Sequence, residues 1–555
     1  MDWTTACPDW ERRILAQQSL VPCPPLFPGQ VSAARDVLRE FRLVDLSGAP
    51  SIVGAARPWT LEFIDAVFGA YDQETGRRLI QEFFLLISKK NAKSTIAAAI
   101  MVTALVRCWR DDSEFFVLAP TKEAANNAFL PAKSAVKRSP VFSDMFHIQE
   151  HMRQITHRKT GASLKVIAAD SQTVVGKKTA GLLVDELHEF GSIADAEEML
   201  REATGGLAAR PEGFVIYLST QSSDPPAGVF KSKLSYARKV RDGEIADRSF
   251  MPVLYEHPKW MLKGKQYLDQ KYFFVTNPNF GASVDIPFLE REFKKAKDGG
   301  EASLRGFLAK HLNVETGLGL RSDRWVGADS WEGAGDETLT LDAILKRSEV
   351  VVIGIDGGGA DDLLGVSVLG RERFTDRWLH WAHAFAHPLA LARRKSEESR
   401  YRDFESDGDL TVIGDYPEDI EGVIDIVRRV QDAGLLGGVG IDQIGIGGLV
   451  DALDAIGVNE NSKLLCGVSQ GYRLTGAIKG LERKLIDGSF AHGARPMMAW
   501  CLGNAKVEPT KNAFLITKQA SGTAKIDPLM ALFDAAVLME RNPSAVDNSP
   551  QIFVL

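Results

Sequence analysis

Along most of the chain, apolar runs of strand length alternate with longer stretches in which apolar residues recur at helical spacing, the pattern of an α/β fold. Between residues 56 and 320 the runs Phe83–Ile87, Phe115–Ala119, Leu164–Ala168, Gly181–Val184 and Phe214–Ser219 predict the strands of a parallel sheet. A second α/β series opens with VVVIGIDGGG at Val350 and continues near Trp378–Ala384, Leu410–Ile413, Gly438–Ile441 and Ala513–Ile516. The segment between them, residues 321–347, is polar and contains glycine, so it is expected to be a linker. Residues 1–55 hold Pro22, Pro24, Pro25 and Pro28 beside an amphipathic stretch, Ala33–Phe41, and read as an irregular lead-in with one helix. The expected organisation is therefore a lead-in (1–55), a first α/β domain (56–320), the linker (321–347), a second α/β domain (348–545) and a short tail (546–555).

A chain of 555 residues exceeds what one core organises, which agrees with two domains. No apolar run approaches the roughly 18 residues needed to span a bilayer, and acidic residues stand near the N-terminus where a secretory signal is basic. A soluble, intracellular protein without a membrane role is expected. Cys7, Cys23, Cys108, Cys466 and Cys501 show no CxxC spacing, which excludes a zinc ribbon and predicts reduced, structural thiols. The net charge of −7 places any nucleic-acid contact on local basic clusters. Lys231, Lys233, Arg238, Lys239 and Arg241 form one candidate, and Lys294, Lys295 and Lys297 another; solvated helix faces would look the same.

The first candidate site follows the strand at Phe83–Ile87, which leads through SKKNAKST into an apolar helix, the order of a phosphate-binding loop. Backbone N–H groups of the loop that contains Asn91 and Ala92 would hold the β-phosphate at such a helix start, and the Lys89 and Lys90 side chains are candidates to reach the transition-state charge. Lys93 would neutralise the outer phosphates and Ser94 would ligate Mg²⁺, with Thr95 beside it. Ile87 and Ala92 replace the two glycines of the GxxxxGK[ST] pattern. Farther on, LLVDE is an apolar strand ending in two acids; Asp185 would hold Mg²⁺ through water and Glu186 would polarise the attacking water. The strand at Phe214 ends in Ser219, Thr220 and Gln221, which are placed to sense the γ-phosphate, and Arg210 is a candidate charge for a neighbouring subunit's site.

The second domain places Asp356 at the end of VVVIGID, Asp442 at the end of GGVGID and Asp527 at the start of a helix in KIDPLMA. Three carboxylates from separated elements converge in this way in a ribonuclease-H-like fold, where they hold two divalent ions about 3.5–4 Å apart. An all-oxygen set suits Mg²⁺ or Mn²⁺, and Asp361, Asp362 and Asp534 are further candidate ligands. Taken singly, each aspartate would pass as a turn or helix cap. His380, His383 and His387 lack the HExxH glutamate and read as structural.

ISKKNAKST, LLVDELHEF, YLSTQS, NPNFGASVD, FLAKHLNVETG and KIDPLMALFDAAVLM together resemble, in order and spacing, the large subunit of tailed-bacteriophage terminases. The resemblance spans about residues 56–540, with Trp59 and Thr60 where the family tends to have Trp-Gln for adenine contact. It implies a P-loop ATPase domain followed by a nuclease domain, using ATP with Mg²⁺ and two Mg²⁺ or Mn²⁺ ions. The implied role is ATP-driven movement of double-stranded DNA into a procapsid and endonucleolytic cutting of concatemers. The implied partners are double-stranded DNA, the portal protein and procapsid, the small terminase subunit and further copies in a ring, in the host cytoplasm. A helicase-nuclease of another kind, or a capsid-assembly adaptor with a degenerate nucleotide site, are the alternatives.

Overall fold

The computed structural model describes residues 2–169, 179–193, 195–315, 325–442, 447–509, 514–518 and 525–545. The chain divides into two compact units, Met1–Thr316 and Gly317–Leu555.

The first unit is built on an eight-stranded sheet. Its strands are β1 (Glu82–Leu86), β2 (Glu114–Ala119), β3 (Phe146–Gln149), β4 (Gln154–His157), β5 (Ser163–Ala168), β6 (Thr179–Val184), β7 (Phe214–Ser219) and β8 (Phe250–Leu254), in the spatial order β8-β1-β7-β6-β2-β5-β4-β3. The six strands from β8 to β5 are parallel. The β3–β4 hairpin, which adds an antiparallel edge, and β8 at the other edge have no counterpart among the expected strands. Both faces of the parallel part are covered, so its strands read as continuous apolar runs. Phe83 and Leu85 face one core with Ile100 and Leu105 of helix α1 (Lys93–Val106), while Phe84 and Leu86 face the other with Tyr217, Phe230 and Leu234. Residues expected as a lead-in add to the first of these cores through Trp10, Leu20, Leu38 and Phe41.

The second unit carries a mixed sheet of β9 (Ser348–Gly357), β10 (Leu363–Glu372), β11 (Trp378–Ala386), β12 (Leu410–Val412), β13 (Leu436–Asp442), β14 (Leu465–Val468) and β15 (Phe490–His492). The strands β9, β10 and β11 form an antiparallel meander, and β13 and β14 extend it in parallel beside β9. The C-terminal helix, α3 (Asp527–Glu540), lies directly on this sheet because two glycines leave room for it. A Cβ on Gly354 would stand 1.9 Å from the Ala531 carbonyl oxygen, and one on Gly365 would stand 2.6 Å from the Pro528 nitrogen.

Much of the expected linker is not one. Residues 321–324 lie outside the described residues, but Trp325 and Trp331 are fully buried in the core of the second unit, and Leu341 and Ile344 are buried there as well. The tail 546–555 and Ala513 also lie outside the described residues. Among the described residues, no helix is long and apolar enough to cross a membrane.

Candidate active sites

Parallel strands put their C-terminal ends on one edge of a sheet, and the first unit gathers its chemistry there. The loop from Ile87 to Ala92 leaves β1 and turns into α1, with Lys90 at φ 71° and Ala92 at φ 63°. The left-handed conformation turns the chain sharply enough to point backbone N–H groups and the start of α1 at a common space, and it costs an L-residue roughly 1–2 kcal/mol. Ala92 therefore does with strain what glycine does freely. Ser94 and Thr95 are half-buried in the first turn of α1.

Asn91 braces the loop through its side chain. It is fully buried, and its side-chain amide donates to the Ser88 carbonyl (3.0 Å) and to Asn277 Oδ1 (2.8 Å), while its oxygen accepts from the Asn279 backbone (3.0 Å). Asn279 in turn accepts from the Trp59 indole at 2.8 Å, and Thr60 is buried beside Trp59. The Lys89 N–H donates to the Lys310 carbonyl (2.8 Å), and the Ser283 hydroxyl donates to the Lys90 carbonyl (2.7 Å). The loop is thus held from behind by NPNF and by the helix Glu301–Leu312.

Two residues far apart in the chain meet in front of this loop: Lys93 Nζ lies 3.1 Å from Glu186 Oε2. Asp185 and Glu186 follow β6, and Glu186 is itself left-handed at φ 54°. Burial and then the adjacent Glu186 push the Asp185 carboxyl up to about 6. Burial opposes the charge of Glu186 too, but the Lys93 ammonium, followed by His188 and Lys89, more than offsets it and holds Glu186 below the usual carboxylate range. Burial, partly countered by Glu186, lowers the Lys89 ammonium. Ser219 and Thr220 at the end of β7 are fully buried behind Glu186, and the buried Gln221 side chain has neither amide atom hydrogen-bonded. Arg210 precedes β7 and so lies at the opposite sheet edge, away from its own chain's loop.

In the second unit, the pairing of Ile355 with Ile441 sets Asp356 and Asp442 side by side at the ends of parallel strands β9 and β13. Asp527 opens α3 at the same edge, where a Cβ on Gly357 would lie 3.2 Å from the Asp527 Cβ. One helical face further on, Asp534 is fully buried and accepts from the Gln470 amide at 2.9 Å. Burial and the charge of Asp356, then that of Asp442, push the Asp534 carboxyl up to about 9 against the Gln470 donor. Asp361 faces Arg394 (3.3 Å) and Asp362 pairs with buried Lys525, so both have cations already. Among the described residues no three acidic, cysteine or histidine side chains are gathered as a ready-made metal cage.

The remaining candidates have structural partners. His380 is buried against Ser367 (3.1 Å), His383 meets Thr411 (2.9 Å) and His387 caps the helix Pro388–Arg393. In the first basic cluster, Arg238 and Arg241 both pair with buried Glu256, Arg238 also with Glu315 (2.6 Å), and Lys233 with Glu82 (3.3 Å). Those three cations serve the fold.

The family model for the terminase large subunit ATPase domain matches residues 58–239, and the one for the terminase large subunit endonuclease domain matches residues 244–541. The chain belongs to the terminase large subunit family. It carries an ATPase domain and an endonuclease domain in one polypeptide, and it is an enzyme of DNA packaging. It is 23% identical over 496 residues to the large terminase subunit of Enterobacteria phage HK97, covering 88% of this chain and 90% of that one. It is 22% identical over 382 residues to protein YmfN of Escherichia coli strain K12, covering 66% of this chain and 79% of that one. A crystal structure of the HK97 large terminase aligns with a TM-score of 0.47 at 19% identity, over 91% of this chain and 99% of that one.

The site residues that pattern alone did not reveal are His188, Gln470 and Lys525. For His188 the signal was present, a histidine in LLVDELHEF two positions after Glu186. Gln470 reaches the nuclease edge only through tertiary contacts, whereas Lys525 stands two residues before Asp527 in KIDPLMA.

Proposed function

We propose that Lys89, Lys90, Lys93, Ser94, Thr95, Asp185, Glu186 and Thr220 form the ATP site, and that the 3.1 Å approach of Lys93 to Glu186 carries this assignment. It brings the phosphate-binding lysine and the water-polarising carboxylate to one point at the end of a parallel sheet. Backbone N–H groups of the strained loop hold the β-phosphate and Lys93 bridges the outer phosphates. Ser94 and Asp185 suit Mg²⁺, since a carboxyl raised by burial favours a nearby cation. Glu186 orients and polarises the attacking water. Asn91 positions the loop, and Thr220 and Gln221 report the γ-phosphate to the rest of the unit.

At the second site, Asp356, Asp442 and Asp527 would hold two Mg²⁺ or Mn²⁺ ions, which when bound supply an activated water and a stabilised leaving oxygen for DNA cleavage. The donor chemistry fits: the edge is all oxygen, and burial, then the neighbouring charges of Asp356 and Asp442, push the Asp534 carboxyl up, a pressure that a divalent ion relieves. Asp534, whose carboxyl feels the charges of Asp356 and Asp442, is a further candidate ligand. The ATPase drives double-stranded viral DNA into a procapsid through a portal protein, in a ring of copies assisted by a small terminase subunit in the host cytoplasm. The nuclease cuts the concatemer. Residues up to Glu315 form the ATPase unit and residues from Trp325 the nuclease unit. Phosphate release by the full chain, with and without double-stranded DNA, is the test; turnover that survives Lys93→Ala unchanged contradicts the ATP site.

A further inference from the structure

His188 is buried two residues past Glu186, in the short helix α2 (Leu187–Phe190). Its Nδ1 lies 3.4 Å from Glu186 Oε2, and its Nε2 lies 3.1 Å from Glu189 Oε1. The ring is fixed from the other side as well. The His188 N–H donates to Ser219 Oγ (3.0 Å), Nδ1 lies 3.4 Å from that oxygen and 3.5 Å from Thr220 Oγ1, and the ring meets Phe230 edge-on at 6.3 Å. The imidazole therefore joins the end of β6 to the end of β7 through the carboxylate that polarises water.

In this state Glu186 has two close nitrogen partners, Lys93 and His188. Only one of them can stay. The phosphates that Lys93 must bridge compete with Glu186 for the same ammonium, and a half-buried glutamate left without a partner rotates freely. That freedom would spoil a group that has to accept a water proton from a fixed direction. His188 has no such competing task, and its backbone and ring are anchored to β7.

We propose that His188 is a positioning residue for ATP hydrolysis, taking over from Lys93 as the partner of Glu186 once Lys93 engages the phosphates. Nδ1–H holds one carboxylate oxygen and leaves the other aimed at the water. Because the same ring touches Ser219 and Thr220, the aim of Glu186 depends on where β7 ends. The proposal rests on the assignment of Glu186 as the water-polarising group.

The test is steady-state ATP turnover by the full chain with double-stranded DNA, using His188→Ala, His188→Asn, His188→Gln, Glu186→Gln and the Glu186→Gln/His188→Ala pair, with a thermal melt of each. His188→Ala is expected to lower kcat about 10- to 100-fold, the range for removing a group that orients a reacting residue, with KM for ATP nearly unchanged. An asparagine amide reaches the place of Nδ1, whereas a glutamine amide reaches that of Nε2. Asparagine should therefore restore most of the turnover and glutamine little of it, even if alanine lowers the melting temperature. The double variant should be no slower than Glu186→Gln alone. Wild-type kcat in His188→Ala, asparagine no better than alanine, or a further loss in the double variant overturns the proposal and leaves the Glu186 assignment standing. Wild-type turnover in Glu186→Gln overturns both.

Discussion

The two sites both place carboxylates at the ends of parallel strands, yet they treat the charge in opposite ways. In the first unit, Glu186 sits among Lys93, His188 and Lys89 and is held below the usual carboxylate range although it is half-buried. In the second, Asp356, Asp442 and Asp534 crowd one edge, and Asp534 is driven up to about 9. The difference matches the cargo proposed for each site. A nucleotide brings four negative charges, so the site proposed for it supplies cations from the chain, whereas a site proposed to hold divalent ions needs uncompensated oxygen ligands. Asp361 and Asp362 sharpen the point, because Arg394 and Lys525 already neutralise them.

The largest effect should come from breaking the first site alone. Lys93→Ala is expected to abolish ATP turnover while metal-dependent plasmid cleavage continues, read as phosphate release and gel mobility of the same samples. Loss of both activities in a normally folded variant would mean that the two sites are not chemically independent. A smaller but still large effect concerns the border between the units. Trp331 is buried in the second unit's core and its ring stacks on His492 at 3.9 Å. Trp331→Ala should destabilise that unit by about 3–5 kcal/mol, seen in denaturant unfolding, with ATP turnover retained below the transition.

The second unit should also be acid-sensitive. Burial lowers His380 to about 3, and lowers His383 and His492 to about 4. Each folded value lies below the unfolded one near 6.5, so the unfolded chain binds more protons through that window. The associated stability is complete above roughly pH 6.5 and is lost as pH falls through about 4, at roughly 1.4 kcal/mol per pH unit for each histidine. Unfolding curves for the second unit that do not move between pH 7 and pH 4 would contradict this burial.

Much of this was legible in the sequence because it is written in short, local signals. The strand leading to the Lys93 loop and the strand ends beside Asp185, Asp356 and Asp442 follow from apolar runs that stop at polar residues, and the structure sets these runs within two residues of the expected places. What was not legible depends on contacts between distant segments. That the Asn91 side chain braces the loop emerges only when Asn277 and Asn279 arrive from far along the chain, and Arg238 looks like a DNA contact until Glu256 and Glu315 do. The supposed linker was misleading for a different reason. RSDRWVGADSWEGAGDETLT is polar on average, but its two tryptophans carry enough apolar area to bind it to a core.

The smallest predicted effect is a gain. Ala92→Gly removes a Cβ from a residue at φ 63° and should stabilise the loop by about 1 kcal/mol, with ATP turnover equal to or above that of the parent chain. A marked fall in turnover would show that the strain itself serves the reaction.

The most direct test of the contrast between the sites is Asp356→Asn in the full chain, assayed for plasmid cleavage with Mg²⁺ or Mn²⁺ and for phosphate release in the same tube. The amide keeps the shape of the side chain and removes one of the crowded charges. Cleavage should fall by orders of magnitude while phosphate release stays at the parent rate. Undiminished cleavage would contradict a metal-holding edge at Asp356.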